Sequence, residues 1–563
     1  MPPSARRRQP SPPDPDSSSF NPRERHYLVA RRDPVLLPAG ETPLSGDALE
    51  EMLRSEDGVV VERTMGPQSL AVLLDTPASL QQVILARMSD EKAAELAANR
   101  QILVEEDAPL QLSPVAPPVE DINPAALNPF GAGTTWRIRV TGPDDAPVAN
   151  AAVFLYGSGV PAQGRTDDDG NTEVTLFNDS PDTLRALYVN PQSRFWSLWL
   201  DRPRLISGDV NQVKLVPLAS MIPNLSDNQI FGWGQRIMRL DRLDPSTTAA
   251  NIKVAVIDSG AATSHRDLGH IRRGQDLTVL PPDDATWAND TLGHGSHCSG
   301  IIAARDAKSG IRGFAPQAQI HELRIFPGGR FSSLLDALDY CIEQQIDVVN
   351  MSLGTQTASE LVAQKIRQAK QFGVACIAAA GNSAGPVQFP GSIRDDVLTV
   401  SAVGRVGEFP PNSFHAQQNA GPVDNGYFFA KFSCFGPEVD VCAPGVAVLS
   451  SVPADGYAAW DGTSMAAPHV AGLAALTLAN HPDFTDGFKG HDAARVDRLF
   501  QIIKQSATQL NLGGPERTGA GVPDVLRALG TAAAAPATGG AGADIITAQL
   551  EELRRAYADA GLL

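Results

Sequence analysis

From about Asn224 to Gly530 the chain alternates short, nearly continuous apolar runs with stretches of helical period. The apolar runs are KVAVIDSG, QIHELRIF, DVVNMSLG, VACIAAAGN and VLTVSAV. Between them lie SLLDALDYCIEQQ and SELVAQKIRQAKQFG. A strand that is apolar at successive positions must be covered on both faces, and helices that cross over between parallel strands supply the cover. The pattern predicts an α/β domain over 224–530, a parallel sheet with helices on both faces.

The chain has 563 residues, which at roughly 150 residues per domain leaves room for two or three further units. Residues 1–24 are rich in Pro, Ser and Arg without periodicity and read as a disordered tail. Over 25–112 the strand-like HYLVARR, GVVVERT, SLAVLLDT and QILVEED are interleaved with the helical GDALEEMLRSE and ASLQQVILARMSDEKAAELAANR. Their order is β-α-β-β-α-β, a small α+β unit with Asp47 as a helix cap. A Pro-rich stretch over 113–133 predicts a stiff, extended linker. Residues 134–218 carry short strands broken by turn signals such as Asp168-Asp169-Gly170. They predict a small β-sandwich of carboxypeptidase-regulatory-like or immunoglobulin-like type. It holds no catalytic cluster and reads as a packing or spacing module. Residues 531–563 form a low-complexity link and a final helix.

Lys and Arg number 46 against 64 Asp and Glu, a net charge of −18. That balance speaks against a general nucleic-acid binder, which needs a basic footprint. No apolar run reaches the ~20 residues of a membrane-spanning helix. The basic N-terminus lacks the apolar core of a secretory signal, which points to cytoplasmic residence, unconventional export or a misassigned start. Five cysteines, Cys298, Cys341, Cys376, Cys434 and Cys442, are too few for a disulfide framework in so long a chain and read as small buried hydrophobes.

Three segments of the α/β region place a reactive side chain at a strand end or a helix start, where ligands collect in open α/β sheets. They are VAVIDSG with Asp258, GHGSHCSGIIAA with His294, and DGTSMAAPHVAGLAALTLA with Ser464. A serine hydroxyl attacks well only when a base takes its proton. A histidine, with an ordinary pKa near 6.5, is that base. A buried carboxylate fixes its tautomer and stabilises the imidazolium.

VAVIDSGAATSHRDL, HGSHCSG, NMSLG, AAAGN, FSCFGPEVDVCAPG and GTSMAAPHVAG together resemble the blocks of the subtilisin (subtilase) family, in that family's order. The order Asp…His…Ser is also the subtilisin one. The resemblance implies a serine endopeptidase acting on polypeptides held extended, with Asp258, His294 and Ser464 as triad and Asn382 as oxyanion-hole donor. It implies Ser352, Leu353 and Gly354 as the strand on which substrate adds, and Ala379, Ala380 and Gly381 as lining of the first specificity pocket. The chemistry needs no cofactor; a structural calcium is implied at Asp267 and Asp306, although two carboxylates alone are too few to specify it. Residues 25–112 resemble the family's propeptide, an intramolecular inhibitor removed by self-processing, here with cleavage expected near 105–115.

Some features depart from the family. Gln388 stands where many members carry glycine, which narrows the pocket or makes it polar. The insertion 414–431 either rims the cleft or forms a surface loop. His294, His297 and His321 lack the spacing of a zinc-binding helix, His469 reads as structural, and Cys298 reads as a buried neighbour of His294. Two other readings stand beside a general protease. One is a dedicated processing enzyme that docks its partner on the sandwich. The other is a silent peptide-binding scaffold, which the intact triad and Asn382 disfavour.

Overall fold

The computed structural model describes residues 24–32, 44–67, 69, 72, 76–112, 115, 132–222, 225, 228–305 and 308–531. Most of the expected tail and linker, Asp306, and the C-terminal link and helix lie outside the described residues. The chain divides into two compact units, Met1–Pro67 with Asp75–Ala108, and Gln68–Leu74 with Pro109–Leu563.

The first unit is a four-stranded antiparallel sheet in the order Val60–Met65, Val83–Ser89, Glu24–Arg31, Ile102–Glu106. The helices Gly46–Ser55 and Asp90–Ala97 are N-capped by Ser45 and Ser89, each accepting a backbone N–H. Asp47 sits in the first turn instead of at the cap, where its charge suits the helix dipole. Tyr27, Val29, Leu49, Leu53, Ile84 and Met88 share the core. Val83–Ser89, expected to be helical, is a central strand whose first four residues are all buried. A run covered on both faces carries no period, and sequence alone does not tell such a strand from a helix. The strand expected at SLAVLLDT falls mainly outside the described residues.

The second unit opens with two sheets. One has the order Leu198–Asp201, Ala186–Asn190, Ala152–Tyr156, Ala162–Arg165; the other Val210–Lys214, Gly133–Thr141, Asn171–Phe177. Alternate residues of both, including Trp136, Ile138, Val153, Leu155, Val174 and Leu187, meet in a common core. This two-sheet module belongs to the same compact unit as everything after it.

The large sheet that follows is nine-stranded. Its path runs Arg273–Asp276, Gln319–Arg324, Lys253–Asp258, Val348–Met351, Ala375–Ala379, Val397–Arg405, with Val441–Pro444 beside the last of these. These strands are all parallel. Every residue of Val348–Met351 and Ala375–Ala379 is buried, as strands covered on both faces must be. The sheet is mixed, not wholly parallel as expected. The insertion supplies Tyr427–Ala430 and Asn419–Asp424, a hairpin that pairs antiparallel with Val397–Arg405. A two-residue turn at Asn425-Gly426, both at positive φ, makes the two hairpin strands antiparallel to each other. Two helices, His294–Ala303 and Thr463–Asn480, pack against each other, and so do Phe331–Glu343 and Glu360–Gln371.

Candidate active site

Asp258 ends the strand Lys253–Asp258 and is fully buried. His294 opens the helix His294–Ala303, behind Gly293 at φ 77°. Its Nδ1 lies 2.9 Å from both carboxylate oxygens of Asp258, so Nδ1–H donates and the Nε2 edge is left to act as base. Burial alone would lower the His294 pKa. The Asp258 charge outweighs it and holds the imidazole well above its ordinary value.

A residue that the motifs did not single out holds this helix in place. Asp290 Oδ1 accepts from Ser259 Oγ at 2.9 Å, Leu292 N–H at 3.1 Å and Gly293 N–H at 2.8 Å. Its Oδ2 accepts from the N–H and Oγ of Ser296 at 2.9 and 2.6 Å. The helix start then lies so close to the Asp258 strand end that a Cβ on Gly295 would stand 2.1 Å from the Gly260 carbonyl. The available signal was an aspartate just ahead of a glycine-started helix with no Ser, Thr or Asn at its cap.

Ser464 lies in the first turn of Thr463–Asn480 and is 4% exposed. Its Oγ donates to the Ser352 carbonyl at 3.2 Å, and no hydrogen bond joins it to His294 among the described residues. Catalytic hydrogen bonds are often long without substrate and tighten when it binds. Ser352 Oγ in turn donates to the Ser464 carbonyl at 2.8 Å and accepts from Asn350 Nδ2 at 3.0 Å. The expected substrate strand therefore also grips Ser464. Asn382 Oδ1 accepts from the Thr463 N–H at 2.9 Å and Thr463 Oγ1 at 2.8 Å. A backbone N–H can only donate, so the amide orientation is fixed and Nδ2 is its donating end. Thr463, unremarked in the sequence, also accepts from the Gly381 N–H at 3.1 Å.

Gly354 pairs with Gln111 through two hydrogen bonds of 3.0 Å, and the Leu110 N–H donates to the Gly329 carbonyl at 2.9 Å. Residues 109–111 thus lie antiparallel between Gly329-Arg330 and Gly354, the geometry of a peptide added as a strand. Gln388 crosses beside them. A Cβ on Gly381 would stand 2.6 Å, and one on Gly354 2.9 Å, from its Oε1, which is buried without a hydrogen-bond partner. Its amide thus fills space beside Gly354 and Gly381 and makes it polar.

The other candidates separate. Cys298 Sγ lies 3.9 Å from His294 Nδ1 and 3.4 Å from the Ser464 carbonyl. Burial pushes its thiol up to about 11, so it stays protonated and unreactive at neutral pH. His297 accepts no role with it: Nε2 bonds the Val448 carbonyl, the ring stacks on Trp460, and burial lowers its pKa to about 3. His321 bonds Tyr340 and His469 the Met465 carbonyl, both lowered to about 4 by burial. Among the described residues, the group of three ligand-type side chains that converges is Asp258, His294 and Cys298, not the three histidines. Asp267 is buried, with Oδ2 taken by the Ile311 N–H and Tyr457 Oη and Oδ1 unpartnered. Calcium takes about six to eight oxygens, so Asp267 alone does not make its cage, and Asp306 lies outside the described residues.

Comparison with known proteins bears on this geometry. Residues 249–521 match the sequence profile of the subtilase family. The chain is 37% identical over 242 residues to Subtilisin NAT of Bacillus subtilis subsp. natto, covering 42% of this chain and 58% of that protein. It is 36% identical to Subtilisin of Bacillus pumilus, with 42% and 81% covered. It is 32% identical over 302 residues to Subtilisin DY of Bacillus licheniformis, with 53% and 98% covered. Matches such as Subtilisin NAT and Subtilisin E thus extend over little more than half of those proteins' length. With the blocks in order and nearly all of one relative spanned, the chain belongs to the subtilase family.

Proposed function

We propose that the protein is a serine endopeptidase made as a self-processed zymogen. The observation that carries the catalytic reading is the His294–Asp258 pair, aimed by Nδ1 on a helix that packs against the one bearing Ser464. Ser464 Oγ attacks the peptide carbonyl as His294 Nε2 takes its proton, and the carbonyl oxygen becomes an oxyanion. Asn382 Nδ2, held by Thr463, and the Ser464 N–H at the helix start donate to it. His294 then protonates the leaving amine, and water, deprotonated by the same nitrogen, hydrolyses the acyl-enzyme. Asp258, accepting from Nδ1–H, stabilises the imidazolium.

The zymogen reading rests on residues 109–111, which occupy the strand position beside Gly354, and on the propeptide-like order of strands and helices before them. The first unit then serves as inhibitor, and the two-sheet module remains with the catalytic part after processing. Incubation of purified wild type and Ser464→Ala with denatured protein substrate, followed by mass spectrometry of both chains, tests this. The wild type is expected to cleave the substrate and to lose a fragment ending near 105–115, and the variant to do neither. An active wild type with an intact N-terminus would sink the zymogen reading, and an intact, inactive one the protease reading.

A further inference from the structure

Asp461, three residues before Ser464, is gripped from a direction the reaction does not use. Its Oδ1 accepts from the Ala447 N–H at 2.7 Å and lies 2.6 Å from Nδ1 of His415 in the insertion. The other ring nitrogen, Nε2, lies 3.4 Å from Ser197 Oγ in the two-sheet module. The side chains of His415 and Asp461 are each 3% exposed. Trp196 meets the imidazole edge-on at 5.7 Å and Phe409 lies at 6.0 Å. Ser197–His415–Asp461 has the connectivity of a second Ser-His-Asp set, but its burial admits no substrate, so its work is mechanical. The surroundings are equally tied down. The Trp199 N–H donates to the Asn412 carbonyl at 2.8 Å, the Arg194 N–H to the Tyr457 carbonyl at 2.9 Å, and Phe414 packs 4.6 Å from Tyr188.

We propose that His415 is a positioning residue for Ser464: held between Ser197 and Asp461, it fixes the loop 461–463 and makes the two-sheet module a working part of the catalytic unit. The inference rests on the protease reading above. A desolvated imidazole–carboxylate contact is stiff, because neither partner has water to exchange for the other. Gly462, the next residue, adopts φ 154°, outside the range most side chains hold, so this link has little intrinsic stiffness of its own. Displacing a reacting atom by about 1 Å can cost on the order of 10²-fold in rate.

The test compares His415→Phe, which keeps a ring and removes the donor, with His415→Asn, which loses volume but keeps an N–H near the Nδ1 position. If His415 positions Ser464, His415→Phe lowers kcat about 10- to 100-fold with KM nearly unchanged, and His415→Asn recovers most of kcat although it is the less well packed. Amide hydrogen exchange over 461–465, measured in a Ser464→Ala background, is expected to speed up in His415→Phe and not in His415→Asn. Wild-type kcat in His415→Phe, or kcat that simply follows thermal stability across the two variants, overturns the proposal. Should His415→Phe not fold, Ser197→Ala decides, with a several-fold loss of kcat and faster exchange at 461–465 expected, and no change in either overturning it. A wild type without activity would count against the protease reading, and the exchange data would still judge the clamp.

Discussion

The two helices that carry His294 and Ser464 of the proposed triad begin alike and are held differently. Each starts behind a glycine at positive φ, Gly293 or Gly462, and neither has a side-chain N-cap. The first donors of the His294 helix are gathered by Asp290, a residue of its own approach loop, with help from Ser259 beside Asp258. The Ser464 helix is fixed by residues far away in sequence: Ser352 and Asn382 directly, and His415 with Ser197 through Asp461 just ahead of the helix. The proposed base, His294, is therefore placed by local chemistry, and the proposed nucleophile, Ser464, by the assembled fold. A general base tolerates small shifts through its hydrogen bond, whereas attack on a carbonyl demands alignment of both the hydroxyl and the oxyanion donors.

If the contrast is right, damage to the remote clamp of the nucleophile costs more than damage to the local clamp of the base. Asn382→Ala removes the proposed oxyanion donor and also the acceptor that holds Thr463. A fall in kcat of about 10²–10³ with little change in KM is expected, the magnitude being that of the equivalent asparagine of subtilisin carried over. Asp290→Asn keeps the shape but sets an amide against five donors. Hydrogen bonds to a charged group each count for roughly 1.5–3 kcal/mol. A loss of about 2–3 kcal/mol in denaturant unfolding, with roughly tenfold lower kcat, is expected. A larger catalytic loss in Asp290→Asn than in Asn382→Ala would break the comparison.

The smallest effect is a displacement along the pH axis. His294 must be neutral to take the serine proton, and the Asp258 charge holds it protonated above the ordinary 6.5. The acid limb of kcat/KM is thus expected above that value, with activity lost as pH falls through it. Asp258→Asn removes the raising charge and leaves burial, which pushes the other way, so the limb of its residual activity should move to lower pH. A limb that stays put would belong to another group.

The same contrast explains what could be read from the sequence. Asp258, His294 and Ser464 each sit in a short block whose neighbours, glycines and small residues, betray the strand end or helix start, whereas Asn382 is legible only through the family resemblance of AAAGN. A peptide-binding role for Ser352-Leu353-Gly354 is implied by the family resemblance alone, and the pairing of Gly354 with Gln111 is what the structure adds. Asp290 was missed because it caps from four residues ahead of His294, not from the cap position. Thr463 and the gripping role of Ser352 were hidden because their partners lie elsewhere in the chain. The insertion 414–431 was open between rim and surface loop. Its Phe414 and His415 became core only because the two-sheet module supplies Tyr188, Trp196 and Trp199. The helix expected over Val83–Ser89 failed for a different reason, since burial on both faces erased its period.

The most direct test of the central claim is fluorophosphonate labelling of processed wild type, His294→Ala and Ser464→Ala, with the adduct mapped by peptide mass spectrometry. One label on Ser464 in the wild type, strongly slowed labelling in His294→Ala and none in Ser464→Ala is the expected result. A wild type that carries no label, or carries it on a residue other than Ser464, would contradict the account.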